Sequence, residues 1–332
     1  MNRSFPLSIP SQESQVMNKH SEVMEGLKAH HAIIAGMLKG KRFHFVDIPD
    51  YDNIGDLLIM LGTLRFFQIH GLTPSTIATL PYFDHTRVRA DDVLVLQGGG
   101  NFGDLYTSIH GRREALIAAF PNNRIIQLPQ TLFFSSEDAL AKSVATMCSH
   151  QDLHIFVRDI VSEKLAHEFT DKVYLAPDMA HQLYPVKSTD RGAKGVLRIQ
   201  RVDKEKPYTP EVIKQLSIRT TTDWVELIGD ERKLITVFEK LEWRLKHYGM
   251  PGALTALSKW FWVPVCRRFM NKAVDLFADH ESVVTDRLHG HILACLMDKK
   301  HIVIDNNYGK NSSYMNQWTI ESPLTTLARE KT

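Results

Sequence analysis

From Arg42 onward the chain alternates between short runs rich in Val, Ile, Leu and Phe and longer helical stretches, and nothing else in it constrains the fold as tightly. RFHFVDI precedes LLIMLGTLRFF, DVLVLQ precedes REALIAAF, RIIQL precedes a helix after Ser136, HIFVR precedes VSEKLAHEF, and KVYLA closes the series. Strands separated by helices return parallel through right-handed crossovers and build a sheet covered on both faces. The polar, aperiodic segment Val186 to Gly195 interrupts the pattern and marks a domain boundary. Beyond it come GVLRIQ, helices near Glu231–His247 and Cys266–Phe277, SVVT, a helix after Arg287, and HIVID. The expected class is α/β, with two doubly wound, Rossmann-like parallel-sheet domains at 41–187 and 188–318 facing across a cleft. Val16, Val23, Leu27, Ile34 and Leu38 recur near the helical period, so one amphipathic helix is expected over 12–38, within a segment 1–40 packed on the first domain. Residues 319–332 read as a tail.

A length of 332 residues agrees with two domains. With 40 Lys and Arg against 38 Asp and Glu, the chain is too balanced to coat a polyanion, and no nucleic-acid partner is expected. Cys148, Cys266 and Cys295 are odd in number and never in a C-x-x-C pair, which argues against a disulfide framework or zinc knuckle. No run has the apolar length of a signal core or membrane span, so a cytoplasmic protein is expected.

In open α/β sheets ligands bind beyond the carboxyl ends of the strands, so chemistry belongs in the loops. The first, PDYDNIGD, carries Asn53 and Asp56 before a helix that Asp56 is expected to cap. Its Asp50-Tyr51-Asp52 spells a D-x-D metal pattern, against which turn chemistry weighs heavily. The second loop contains Gly98-Gly99-Gly100-Asn101-Phe102-Gly103-Asp104. Gly98, Gly100 and Gly103 formally fit a dinucleotide fingerprint, but the loop follows an interior βα unit and the next strand runs into Pro129-Gln130 where an acidic ribose ligand belongs. What remains is a bare stretch that a ligand or another backbone must approach closely, with Asn101 and Asp104 at its rim. Arg287 and His289 open a helix whose free N–H groups favour an anion, while His291 points to another side. Lys310 closes the loop after HIVID, and Arg158 and Arg201 lie at the ends of their strands.

Taken together, N-x-G-D at Asn53–Asp56, GGGN-x-GD at Gly98–Asp104, LPQT at Leu128–Thr131, VRD at Val157–Asp159 with Ser162, R-x-D at Arg201 and Asp203, DRLHGH at Asp286–His291, and D-N-x-Y-G-K at Asp305–Lys310 resemble the polysaccharide pyruvyl transferases. The resemblance runs from about Asp47 to Trp318. It implies a glycosyltransferase-B-like architecture and transfer of the enolpyruvyl carbons of phosphoenolpyruvate to two hydroxyls of a sugar in an exopolysaccharide or cell-surface glycan precursor, giving a pyruvate ketal and phosphate. It further implies phosphoenolpyruvate as donor substrate with no separate cofactor, a catalytic Arg287 and His289, and donor binding by Arg158, Arg201, Arg287 and Lys310. From their position on the opposite domain's loops, rather than from the resemblance, Asn53, Asp56, Gly99, Gly100, Asn101 and Asp104 are expected to bind the acceptor or shape its loops, with Asp56 or Asp104 as proton acceptor, and the proposed chemistry requires no metal.

Those residue types suit the chemistry in their own right. A donor with phosphate and carboxylate needs several fixed cations, and enol protonation with phosphate departure needs an acid. The rival readings are a B-type nucleotide-sugar glycosyltransferase, which would use the same architecture, and a catalytically silent component of exopolysaccharide assembly. One stretch falls outside the motifs. Residues 243–272 lack any acidic side chain yet hold Arg244, Lys246, Lys259, Arg267, Arg268 and Lys272 with Trp243, Trp260, Phe261 and Trp262, a mixture suited either to a membrane surface bearing a lipid-linked acceptor or to a buried helix pair.

Overall fold

The structure, a computed structural model, describes residues 12–189, 191–201, 213, 216–305 and 309–328. Val202, Asp203 and Asn306–Tyr308, which belong to two of the sequence motifs, lie outside the described residues, as do residues 1–11.

Strands β1 (Phe43–Val46), β2 (Thr76–Ala78), β3 (Val93–Leu96), β4 (Gly99–Gly103), β5 (Arg124–Phe133), β6 (Leu153–Val157) and β7 (Val173–Leu175) form one sheet. Its order is β2-β1-β3-β5-β6-β7, with β4 pairing on β5. Strands β8 (Val196–Ile199), β9 (Ile218–Thr222), β10 (Ser282–Thr285), β11 (His301–Ile304) and β12 (Thr325–Ala328) form a second, in the order β12-β11-β10-β8-β9. Every pairing is parallel. Strands β1, β3 and β6 are buried at every position, as expected of strands with helices over both faces. The strand order reverses between β1 and β3 in the first sheet and between β8 and β10 in the second. Loops following strands beside such reversals diverge and leave a crevice at the sheet's carboxyl edge.

The mixed α/β class and parallel sheets agree with the sequence pattern, and several details differ. The helix expected over 12–38 breaks at His30–His31 into Gln12–Ala29 and Ala32–Leu38. Nor does it serve the first half alone. Buried His20 bonds Ser322 Oγ at 2.7 Å and the Cys295 carbonyl at 2.9 Å, while His31 Nε2 donates to the Pro177 carbonyl at 2.8 Å. Within the segment read as a tail, β12 adds a strand beside β11. The glycine run continues as a strand, because Gly99 and Gly103 take φ of 139° and 119°, open to residues without a Cβ, and let β4 lie against β5. One apolar cluster runs through both halves, joining Phe45 and Ile59 to Leu197, Phe269 and Val283.

Candidate active site

A cavity of about 340 Å³ lies where the two sets of loops meet, within the size range of small-molecule sites. Asn53, Asp56, Gly100, Asn101 and Arg158 line it from the first half, and Arg201, Trp224, Arg287, His289, Lys310 and Asn311 from the second.

The loop after β1 delivers Asn53 and Asp56. Asn53, not Asp56, caps helix Ile54–Ile69: its Oδ1 accepts the Gly55 N–H at 3.0 Å. The cap falls to Asn53 because Asp56 is already in the first helical turn. There Asn53 Nδ2 donates to Asp56 Oδ2 at 2.8 Å, and the carboxyl is 7% exposed. Burial raises the Asp56 pKa, a trend that His289, Tyr51 and Arg158 oppose. A carboxyl so placed is a better proton acceptor than an exposed one.

The glycine run works through absence of side chains. A Cβ at Gly100 would lie 2.9 Å from Lys310 Nζ and 3.3 Å from Arg158 Nη2, and one at Gly99 would lie 3.1 Å from Asp56 Oδ1. Bare backbone is what allows cations from both halves to converge on Gly100. A Cβ at Gly55 would strike His289 Nδ1, so a second glycine seats the imidazole against the start of helix Ile54–Ile69.

Arg158, at the end of β6, is 1% exposed; Nη2 donates to Thr131 Oγ1 at 3.0 Å and Nη1 to Asp178 Oδ2. His289 Nε2 donates to the same Asp178 oxygen at 3.3 Å. Burial of Asp178 acts to raise its pKa, but His289, Arg158 and the Ala180 N–H outweigh it and hold the carboxyl far below its ordinary value. Arg287 precedes helix Leu288–Leu296 and grips Asp223 with both arms of its fork, Nε to Oδ1 at 2.8 Å and Nη2 to Oδ2. Arg201 is set by its backbone N–H, which donates to Asp286 Oδ1 at 2.8 Å. Lys310 opens helix Lys310–Trp318 behind Gly309 in the left-handed region.

Not every expected residue reaches the cavity. Asp104 accepts the Ser135 N–H at 2.9 Å and its hydroxyl, and does not line the cavity. Gly99 supports Asp56 from behind. Of the D-x-D pair, Asp52 does line the cavity and pairs with Arg232 at 2.9 Å, whereas Asp50 does not line it and burial raises its pKa. His291 is fully buried with Cys295 and His301, the one group of three potential metal ligands among the described residues. Its rings form a chain, with His291 bonded to His301 at 2.7 Å and to Thr319 at 2.9 Å, and His301 bonded to the Lys299 carbonyl at 2.8 Å. Of the tryptophans in 243–272, Trp262 is buried, whereas Trp243 and Trp260 are 53% and 82% exposed.

Sequence reasoning missed Asp178 and Asp223, the two carboxylates that hold the cations. Both had a signal. Asp178 caps the turn Met179–Leu183 just after β7, and Asp223 with Glu226 makes the D-x-x-E capping box of helix Trp224–Ile228.

Two parallel sheets, with a cation-lined cavity that holds a histidine and a buried carboxyl where their loops meet, define an α/β protein with a candidate small-molecule site. Residues 53–308 match the family model described as polysaccharide pyruvyl transferase, and the chain belongs to that family. It is 36% identical to the Bacillus subtilis protein named "Putative pyruvyl transferase EpsO", over 85% of this chain and 87% of the relative. It is 24% identical to Pyruvyl transferase 1 of Schizosaccharomyces pombe, over 84% of this chain and 70% of that one. In fold it is similar to the crystal structure of the functionally uncharacterized Klebsiella pneumoniae protein KP1_0663, with a TM-score of 0.55 at 20% identity, covering 94% of this chain and 99% of the other. Family membership supports a transferase acting in pyruvyl transfer to polysaccharide.

Proposed function

We propose that the protein transfers the enolpyruvyl group of phosphoenolpyruvate to two hydroxyls of a glycan sugar, forming a pyruvate ketal. The observation that carries this reading is the convergence of Arg158 and Lys310 over Gly100, beside His289 and in a cavity that Arg201 and Arg287 also line. Several fixed cations suit a donor bearing both phosphate and carboxylate. In this reading the two halves act as in B-type glycosyltransferases, with 41–187 on the acceptor side and 188–318 on the donor side, and Arg158 reaching over to the donor.

The reaction balances without a redox partner. Carbon C3 takes a proton as the C2=C3 π pair moves to it, and an acceptor oxygen bonds to C2 as its proton passes to a base. The C2–O bond to phosphate then breaks with its electron pair leaving on phosphate, and the second hydroxyl closes the ketal and loses its proton. His289 is the acid at C3 or at the departing phosphate, a role worth ~10²–10⁴-fold. Since Asp104 does not line the cavity, Asp56 takes the role of proton acceptor. Arg287 and Lys310 balance charge as phosphate leaves, and Asp178 orients both Arg158 and His289.

Thermal unfolding with phosphoenolpyruvate against a panel of nucleotide sugars tests the donor. At a hundred times Kd a ligand stabilises by ~2.7 kcal/mol, and each kcal/mol moves Tm by ~2–4 °C in a chain of this size. Stabilisation by a nucleotide sugar and none by phosphoenolpyruvate would overturn the reading in favour of glycosyl transfer. His289→Ala is expected to keep donor binding and lose phosphate release; full turnover would remove His289 from its role.

A further inference from the structure

The acid-free stretch forms a surface distinct from the cavity. Ser258–Trp262 is a π-helical turn running directly into helix Val263–Ala278. It sends two tryptophans in opposite directions. Trp262 is fully buried, stacks on Phe238 with centroids 4.6 Å apart, and donates its indole N–H to the Pro49 carbonyl at 2.8 Å. Trp260, two residues earlier, is 82% exposed. π-turns inside helices are rare and concentrate at functional sites.

Around Trp260 runs a groove lined by Lys259, Arg267, Arg268, Lys272 and Asp275. Glu231 answers Arg268 and Lys272 at 2.6 and 2.7 Å, and Asp275 pairs with Arg191 at 3.0 Å. Lys259 and Arg267 are exposed and have no carboxylate within ion-pair distance among the described residues, so the groove is net positive. Lys259 and Val263 also border a second depression, an apolar trough lined by Leu64, Phe67, Leu72, Pro74 and Ile77. A cationic rim, an exposed indole and an apolar trough side by side match the headgroup layer of an anionic bilayer, where indoles settle and cations meet lipid phosphates.

We infer that this face docks on an anionic membrane surface, with Trp260 in the interfacial layer and Lys259 and Arg267 on lipid phosphates. A soluble polyanion would use the cations but has no need of the trough. The Trp262 bond to Pro49 ties the docked face to the loop that carries Asn53 and Asp56, so lipid engagement and the acceptor side of the cavity share one rigid connection. Docking is independent of the donor's identity.

The test is co-sedimentation of the full chain with vesicles of phosphatidylcholine alone or mixed with phosphatidylglycerol, with bromolipid quenching of tryptophan fluorescence. The protein is expected to bind the anionic vesicles in a salt-sensitive manner and to show quenching. The double variant Lys259→Glu, Arg267→Glu should lower partitioning at least tenfold, since each cation contributes about fivefold. Trp260→Ser should remove most of the quenching. Both variants change exposed side chains, and unchanged circular dichroism confirms their fold. Absence of binding at low ionic strength, or equal partitioning of the charge-reversed variant, would overturn the inference. So would cation-dependent binding to a single-stranded oligonucleotide with none to vesicles, which would assign the groove to a soluble polyanion.

Discussion

At the scale of single residues, the site is a set of cations whose arms are positioned by carboxylates distant in sequence. Asp178 lies 111 positions from His289, and Asp223 lies 64 from Arg287. Cations at strand ends and helix starts can be read from sequence, because position alone says that they face the loops. Their carboxylate partners cannot be read so, since an Asx residue before a turn looks like a cap, and Asp178 and Asp223 are caps as well. Asp178→Asn takes the negative charge from between Arg158 and His289. Breaking a buried ion pair costs ~3–5 kcal/mol, so the denaturant midpoint should drop, with phosphate release reduced at least tenfold under conditions where the variant is folded. Unimpaired phosphate release would exclude Asp178 from the machinery. Gly100→Ala separates binding from folding. The methyl would meet the far end of the flexible Lys310 side chain at 2.9 Å and Arg158 Nη2 at 3.3 Å, a contact that asks Arg158 to give by only a few tenths of an ångström, so the melting temperature should change little while the Kd for phosphoenolpyruvate rises, as calorimetry can measure. An unaltered Kd would show that the two cations do not close on the donor over this backbone.

At the scale of elements, the long hydrophobic runs were legible because burial on both faces leaves a continuous apolar signature. Strand β4 was not, since glycine carries no side-chain pattern, and β2 is only three residues long. Threonine-rich β9, Ile218–Thr222, alternates between half-buried and exposed positions and so lacks the apolar run of an inner strand. Helix Lys233–His247 carries a cost that the sequence also concealed. Its Glu242 is fully buried, with the Thr79 hydroxyl donating to it at 2.9 Å, and burial lifts its pKa to about 8. Between the ordinary carboxyl range and pH 8 the folded state therefore holds a proton that the unfolded chain has lost. Stability on this account falls as pH rises through that window and levels off above it. At ~1.4 kcal/mol per pH unit the total is on the order of a few kcal/mol. Glu242→Gln should flatten the decline in Tm between pH 5 and pH 8; an unaltered slope would place its origin elsewhere.

At the scale of the whole molecule, the two sheets were legible but the bonds that join them were not. Periodicity in a helix shows which face is apolar and leaves open what covers it. The helix Gln12–Ala29 reaches Ser322, 302 positions away, through His20. From the other direction, Trp318 donates its indole N–H to the Arg158 carbonyl at 2.7 Å, and Tyr314 Oη accepts the Asp178 N–H at 3.1 Å. With one apolar cluster spanning both halves, urea unfolding is expected to give a single transition by tryptophan fluorescence and by circular dichroism. Two separated transitions would show that the halves are independent folding units. The bonds from Tyr314 and Trp318 also bear on the order of events during synthesis. A ribosome-bound chain that has completed the first sheet still lacks the helix that fixes Arg158 and Asp178, and contacts so distant in sequence close slowly. Competence to hold the proposed donor is thus expected to come at the end of folding, so the nascent first half would emerge without a finished cavity.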